Sequence, residues 1–245
     1  MFLIGKKQSI IKKLGKDLIS NALQCGCVWI RTDVVCNTCL MGSEQDNFKF
    51  SSKFLDALNF ANERHAGHLR KGTEIPYLTH LLAVSSLAIE DSSSDDDLKD
   101  DVETVAIAAL LHDVVEDTDT EIEEITNEFG KAVADIVDAC SDTHESGKKP
   151  PWKERKESYI AHLTEADQAT LCVSLADKRH NSMCMLSDLR KEGPDFWNRF
   201  NAPPLDQKWY YETIAEVFSA KRPGKASDDL KRTVEDLCKL IVEDS

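Results

Sequence analysis

Four side chains that could bind a metal ion or move a proton occur together in the segment "ALLHDVVEDT": His112, Asp113, Glu116 and Asp117. On a continuous helix, residues four apart share a face, so all four lie on one side of the last turn of a buried helix. Carboxylates this close together repel one another, and burying them beside an apolar run is costly unless a cation lies among them. The spacing favours a divalent metal held by His112 and Asp113, with the other two carboxylates placed to handle a water molecule. The alternative is a helix that emerges into solvent before an acidic loop.

Two more polar residues interrupt apolar stretches far from this segment. His80 lies in "PYLTHLL" and Asp177 in "VSLADKRHN", where an unpaired imidazole or carboxylate is unfavourable. Taken singly, they are typical of a core histidine and a helix cap. Together with His112 and Asp113 they form a set of two nitrogen and two oxygen ligands. Such a set suits Mn²⁺ or Fe²⁺, with Zn²⁺ or Mg²⁺ less favoured.

The elements that carry these residues have the pattern of helices. From about residue 51 apolar residues recur at helical spacing, glycine (10) and proline (7) are scarce, and aromatic residues make up 7% of the chain. Thr120 and Glu123 have the spacing of a capping box, and Gly130 is a good helix terminator. We expect one all-α domain over residues 49–245, ending in two helices at about 206–220 and 226–242.

The first 40 residues differ from the rest, with six Lys and Arg against two Asp in a chain of formal charge −14. They also contain four cysteines whose spacing could bind zinc. These are Cys25, Cys27, Cys36 and Cys39. The sequence favours two other readings, a disordered or loosely attached extension and a translation start at Met41. We therefore treat residues 1–48 as an extension outside the core.

Charge and hydropathy limit the partners and the compartment. The net negative charge argues against binding to a nucleic-acid backbone. No run of eighteen apolar residues is present, so no membrane-spanning helix is expected. The start lacks the pattern of a secretory signal, and the scattered cysteines are typical of buried free thiols. These features predict a cytoplasmic protein that binds neither a nucleic acid nor a membrane, and they do not exclude a small anionic substrate.

The motifs "RKGTEIPYLTH", "ALLHDVVEDT" and "LADKRHN" occur in an order that resembles the HD-domain hydrolases of the RelA/SpoT type, over roughly residues 53 to 186. These enzymes remove the 3′-pyrophosphate from (p)ppGpp. The resemblance implies a compact HD-domain helical bundle that holds Mn²⁺ through His80, His112, Asp113 and Asp177. It also implies that Glu116 and Asp117 are catalytic. The residues expected to contact the substrate or offset its charge are Arg70, Lys71, Asn181, Lys178 and Arg155.

The chain departs from the family pattern at Leu81, where proline is usual, and His180 is family-like but has no assigned role. Its length leaves no room after residue 190 for a synthetase domain, so it is most similar to the stand-alone small alarmone hydrolases. Two alternatives stay open. One keeps the site but changes the substrate, for example to the 2′-phosphate of NADPH. The other is a non-catalytic HD module that binds a nucleotide.

Overall fold

The computed structural model describes residues 48–141 and 150–243, and in them the secondary structure is helical apart from one isolated bridge between Leu69 and Pro76. The chain divides into two units, Met1–Lys49 and Phe50–Ser245. The second unit confirms the all-α prediction, whereas the four clustered cysteines and Met41 lie outside the described residues. In the part of the chain described, no helix is both long and apolar enough to cross a membrane.

The described residues form ten α-helices and one 3₁₀ segment. The first six are α1 Ser52–Arg64, α2 Leu78–Ser93, α3 Val102–Leu111, α4 Val114–Asp117, α5 Ile122–Phe129 and α6 Lys131–Cys140. They are followed by α7 Trp152–Glu165, α8 Gln168–Glu192, a 3₁₀ segment Gly193–Arg199, α9 Pro204–Lys221 and α10 Lys225–Glu243. The last two lie close to the ranges that the sequence predicts.

Local capping explains several of these boundaries. Asp167 accepts a hydrogen bond from the backbone N–H of Thr170 at 2.8 Å and so caps α8. Gly130 ends α5 with φ 94°, a conformation that favours glycine. The predicted cap at Thr120 is wrong: α5 begins at Ile122 with Glu121 as its N-cap residue. The Thr120 hydroxyl instead pairs with the Thr118 hydroxyl at 2.8 Å, which stabilises the turn before the helix.

Two hydrophobic cores lie on either side of α8. The first is built from α1, α2, α3, α5 and α6, together with the face of α8 that carries Cys172, Val173 and Ala176. The second is built from α7, the 3₁₀ segment, α9 and α10, together with Leu171 and Leu175 of α8. Because both faces of α8 are covered, every residue from Thr170 to Asp177 is buried. The helix therefore forms a shared wall between the two cores.

A buried arginine joins the two cores at one end of α8. The guanidinium of Arg222, just after α9, donates to Asp91 Oδ2 at 2.8 Å and to Gln168 Oε1 at 3.0 Å. It also lies 2.8 Å from Asp95 Oδ2. The residue is 5% exposed. This contact fixes the end of α2 against the start of α8, the two helices that carry His80 and Asp177.

The four cysteines in the described residues are free thiols. Cys172 and Cys238 are buried, and Cys140 and Cys184 are half-buried. The prediction of scattered, buried free thiols is thus confirmed for the first pair and met in part by the second.

Candidate metal centre and adjoining cavity

The structure brings the four predicted ligands together beside the middle of α8, the helix that carries Asp177. His80 projects from α2, His112 follows the end of α3, and Asp177 lies in α8. One ligand atom from each of these three lies within 4.8 Å of the others. Asp113 Oδ2 completes the group, 3.1 Å from His112 Nε2 and 3.5 Å from His80 Nε2. Three helices that are distant in the sequence thus supply one cluster of two nitrogen and two oxygen atoms.

A helix break places His112 and Asp113 side by side. The sequence predicts one continuous helix here, and that is wrong: α3 ends at Leu111, and Asp113 (φ −102°, ψ −4°) precedes the separate turn α4. Adjacent residues on a continuous helix point about 100° apart and do not face each other. The break removes this constraint. It lets the Asp113 carboxylate approach the His112 ring.

The charges at this point fit a cation. Nε2 of His80 and Nε2 of His112 are buried and have no hydrogen-bond partner among the described residues, although Asp177 Oδ1 lies 3.2 Å and 3.8 Å from them. Burial disfavours a charged His112, but Asp113 and Asp177 outweigh it and raise the pKa of His112 well above its usual value. The buried carboxylates therefore require positive charge nearby. A divalent ion bound by these nitrogens and oxygens supplies it, so the residues present suit a metal.

Neighbouring groups orient three of the four ligands. Nδ1 of His112 lies 2.9 Å from the backbone oxygen of Ala109, which leaves Nε2 facing the cluster. The Tyr77 hydroxyl donates to Asp113 Oδ2 at 2.5 Å. Asp177 accepts a hydrogen bond at each oxygen, from the side-chain amide of Asn181 at Oδ1 and from the ammonium group of Lys178 at Oδ2. Such contacts restrict the ligands before any metal is bound.

The two predicted catalytic carboxylates lie beside this cluster on α4. Glu116 lines a small cavity of about 40 Å³ together with His112, Asp113 and Asp177. Asp117 has a large solvent-accessible surface as a whole residue. Protein atoms around its carboxyl group nevertheless displace part of the water that would solvate the charge. This desolvation, with the nearby charges of Asp113 and Glu116, raises the pKa of Asp117 to about 6. Asp117 therefore binds a proton more readily than an ordinary aspartate.

A larger cavity of about 610 Å³ adjoins the cluster. Tyr77 and His180 line it and also contact Asp113 and His80, so one layer of side chains lies between the cavity and the candidate metal centre. Its wall includes three of the residues predicted to contact substrate. They are Arg70, Lys71 and Asn181, and the wall also includes Phe196, Arg199 and Phe200.

Hydrogen bonds connect this cavity to the ligands. Arg70 Nη2 donates to Asn181 Oδ1 at 2.9 Å, and the Asn181 amide donates to Asp177. The next residue, Lys71, places Nζ 5.1 Å from the Phe200 ring centre. Gly72 then takes φ 71°, and a Cβ there would lie 2.6 Å from Arg199 Cδ. The loop formed by Arg70, Lys71 and Gly72, here called the basic loop, thus packs closely on the 3₁₀ segment.

The other two predicted substrate contacts lie elsewhere. Lys178 is the lysine that donates to Asp177 Oδ2, at 2.5 Å, and its ammonium group lies 4.8 Å from the Tyr159 ring centre. Arg155 lies in the first turn of α7, next to Lys156, which lines the small cavity with Glu116. Their contact with substrate stays a prediction.

Sequence reasoning gave no role to two residues that contact the ligands. Tyr77 precedes His80 by one helical turn, and His180 follows Asp177 by one turn. This spacing of three residues was the available signal, since such neighbours share a helix face. His180 Nδ1 lies 2.7 Å from His80 Nδ1.

Comparisons with known proteins identify the family of this chain. The HD domain family model matches residues 57–207. The chain is 38% identical over 169 residues to the guanosine-3′,5′-bis(diphosphate) 3′-pyrophosphohydrolase MESH1 of Xenopus tropicalis, covering 69% of this chain and 84% of the relative. It is 32% identical over 178 residues to the Homo sapiens protein of the same name, covering 72% and 86%. A solved structure described as a metazoan ortholog of SpoT that hydrolyzes ppGpp is similar with a TM-score of 0.58 and 27% identity, over 78% of this chain and 97% of that one.

Proposed function

Because the chain belongs to the HD-domain family, among the stand-alone relatives of the RelA/SpoT hydrolases, we propose that it removes the 3′-pyrophosphate from (p)ppGpp with Mn²⁺. The observation that carries this proposal is the junction of two sites. Two histidines and two aspartates converge at one point, and a cavity of about 610 Å³ with basic residues lies beside them, where Tyr77, His180 and Asn181 of its wall contact the ligands. One part suits a metal, and the other suits an anionic nucleotide.

The ligand atoms favour Mn²⁺. Two imidazole nitrogens and two carboxylate oxygens form a mixed set, which Mn²⁺ and Fe²⁺ accept more readily than the harder Mg²⁺ does. His80, His112, Asp113 and Asp177 would hold a divalent ion, which when bound would supply Lewis acidity for a water and a phosphoryl oxygen.

Glu116 and Asp117 are placed to handle the attacking water. Each carboxylate accepts a hydrogen bond from the water and so orients its lone pair towards phosphorus, and one of them takes the proton. The raised pKa of Asp117, about 6, suits this role because the carboxylate is ionised at neutral pH yet has a useful affinity for a proton. The water oxygen forms a bond to phosphorus as the bond between phosphorus and the 3′-oxygen breaks, and the 3′-oxygen takes up the proton that the carboxylate accepted. The products are diphosphate and a nucleotide with a free 3′-hydroxyl.

The basic loop admits an anionic substrate to an acidic protein. Arg70 and Lys71 line the cavity, so the local charge differs from the overall charge of −14. A guanidinium binds phosphate oxygens in two parallel hydrogen bonds. Arg70 already donates to Asn181, which in turn contacts Asp177. A phosphate bound at Arg70 is therefore one residue removed from a predicted metal ligand.

Product analysis tests the proposal. Metal-free protein supplied with Mn²⁺ is expected to convert ppGpp into GDP and diphosphate. Glu116→Gln is expected to lower the rate by about 100-fold or more, since it removes a proton acceptor without changing size. Asp113→Ala is expected to abolish both activity and Mn²⁺ binding. Asp119→Ala is the matched control, because Asp119 is an exposed carboxylate in the same acidic segment.

The same assay separates the alternatives. Intact ppGpp together with phosphate release from NADPH reassigns the substrate and leaves the hydrolase class in place. Nucleotide binding without turnover of either compound, in protein that has bound its metal, indicates a non-catalytic HD module and refutes the proposal.

A further inference from the structure

His80 and His180 meet through the same ring nitrogen. Their Nδ1 atoms lie 2.7 Å apart, and the ring centres lie 4.9 Å apart with an interplanar angle of 35°. Two nitrogens at this distance share one hydrogen, so one ring donates and the other accepts. Which ring donates decides what the other face of His80 can do.

A metal at the cluster fixes the direction of this bond. His80 Nε2 faces Asp177 Oδ1 at 3.2 Å and has no hydrogen-bond partner among the described residues, so it is the nitrogen that faces the ion. A ligating Nε2 carries no hydrogen, which places the hydrogen of His80 on Nδ1. His180 Nδ1 then accepts, and a neutral His180 carries its own hydrogen on Nε2. That atom lies 3.6 Å from the sulfur of Cys184, a weak acceptor. A hydrogen on His80 Nδ1, none on His180 Nδ1 and a hydrogen on His180 Nε2 thus form one consistent assignment.

The other histidine ligand is oriented differently. His112 Nδ1 lies 2.9 Å from the backbone oxygen of Ala109, a partner that belongs to its own helix. His80 depends on a side chain from α8, the helix that also carries Asp177. We infer that His180 is a positioning residue for the metal centre: it accepts the Nδ1 hydrogen of His80 and so holds the His80 lone pair towards the ion. This inference rests on the proposed metal site.

Metal titration of three variants tests it without substrate. His180→Phe keeps a planar ring but removes the acceptor, and the dissociation constant for Mn²⁺ or Zn²⁺ is expected to rise about 10- to 100-fold. His180→Asn keeps an acceptor, because its Oδ1 is attached at the same carbon position as Nδ1, and is expected to bind within about threefold of the parent. His162→Phe is the matched control, since His162 is exposed on α7. The melting temperature of each metal-free variant shows that the fold is retained.

Two results overturn the inference. One is parent-like metal affinity in a folded His180→Phe variant. The other is an Asn variant as weak as the Phe variant, which indicates a loss of packing instead of a lost acceptor. Imidazole ¹⁵N spectra of the Zn²⁺-loaded parent give an answer even if the Phe variant does not fold. They are expected to show hydrogen on His80 Nδ1 and none on His180 Nδ1, and the reverse assignment contradicts the inference.

These measurements stay informative whatever the substrate is. Absence of ppGpp hydrolysis in the parent refutes the proposed function but does not change the metal affinities. Conversely, full activity with ppGpp and unchanged affinity in His180→Phe supports the function and refutes the role of His180.

Discussion

Removal of Arg222 is expected to destabilise the fold without changing a residue of the site. Its guanidinium is 5% exposed and bonds to groups of α2, α8 and the segment after α2. Arg222→Met keeps much of the apolar stem but leaves Asp91 and Asp95 without this cation. Breaking a buried ion pair costs about 3–5 kcal/mol. The two aspartate side chains are 21% and 24% exposed, so water compensates in part, and we expect a loss of about 2–3 kcal/mol.

Urea unfolding of the metal-free protein, followed by circular dichroism, measures this loss. The matched control is Arg232→Met, the same substitution in an arginine that pairs with Asp229 at the surface and is 66% exposed in its side chain. An exposed pair contributes about 1 kcal/mol or less. Adding Asp91→Asn and Asp95→Asn to Arg222→Met should restore part of the stability, because no uncompensated carboxylate then remains. An Arg222→Met variant as stable as the Arg232 control, or no recovery on adding the asparagines, refutes the reasoning.

Three further predictions concern the site and its cavity. Metal at 100 times its dissociation constant should stabilise the protein by about 2.7 kcal/mol, which raises the melting temperature by roughly 5–10 °C. Equal melting temperatures in thermal scans with metal and with a chelator would contradict the metal site. Tyr77→Phe removes the donor to Asp113 and should weaken metal binding about 10-fold or more in titrations, with little change in the melting temperature of the metal-free protein. Gly72→Ala forces a side chain into φ 71° at a cost of about 1–2 kcal/mol and displaces the Arg199 side chain. We expect KM to rise and metal affinity to stay unchanged, because Arg199 lines the cavity and Gly72 is not a predicted ligand. A KM equal to that of the parent would contradict a role of this wall in substrate binding.

The predicted ligands stand out in the sequence because each one lies within an apolar run or at its end. His80 and Asp177 are buried, and hydrophobic pattern alone marks a polar residue in such a position. The helical periodicity likewise predicted the elements, since each helix covers a core with one face or, in α8, with two.

Other features depend on contacts that no local pattern encodes. The break between α3 and α4 was missed because "VVED" continues the helical periodicity. The close approach of Gly72 to Arg199 and the contact of His80 with His180 join helices or loops far apart in sequence. Lys178 is predicted from the sequence to offset the charge of the substrate, yet its ammonium group donates to the carboxylate of Asp177. Periodicity gives the face of a residue, whereas the partner depends on tertiary packing.

The position of Asp177 in the helix shared by both cores has a consequence for local unfolding. The other three proposed ligands belong to segments that pack in the first core, while α8 is also covered by the second. An ion bound to all four resists any opening that moves α8 away from α2 and α3. Amide hydrogen exchange in α9 and α10, which contact no ligand of the ion but pack on α8, should therefore slow when metal binds. A bound ion would therefore couple the local unfolding of the first hydrophobic core to that of the second.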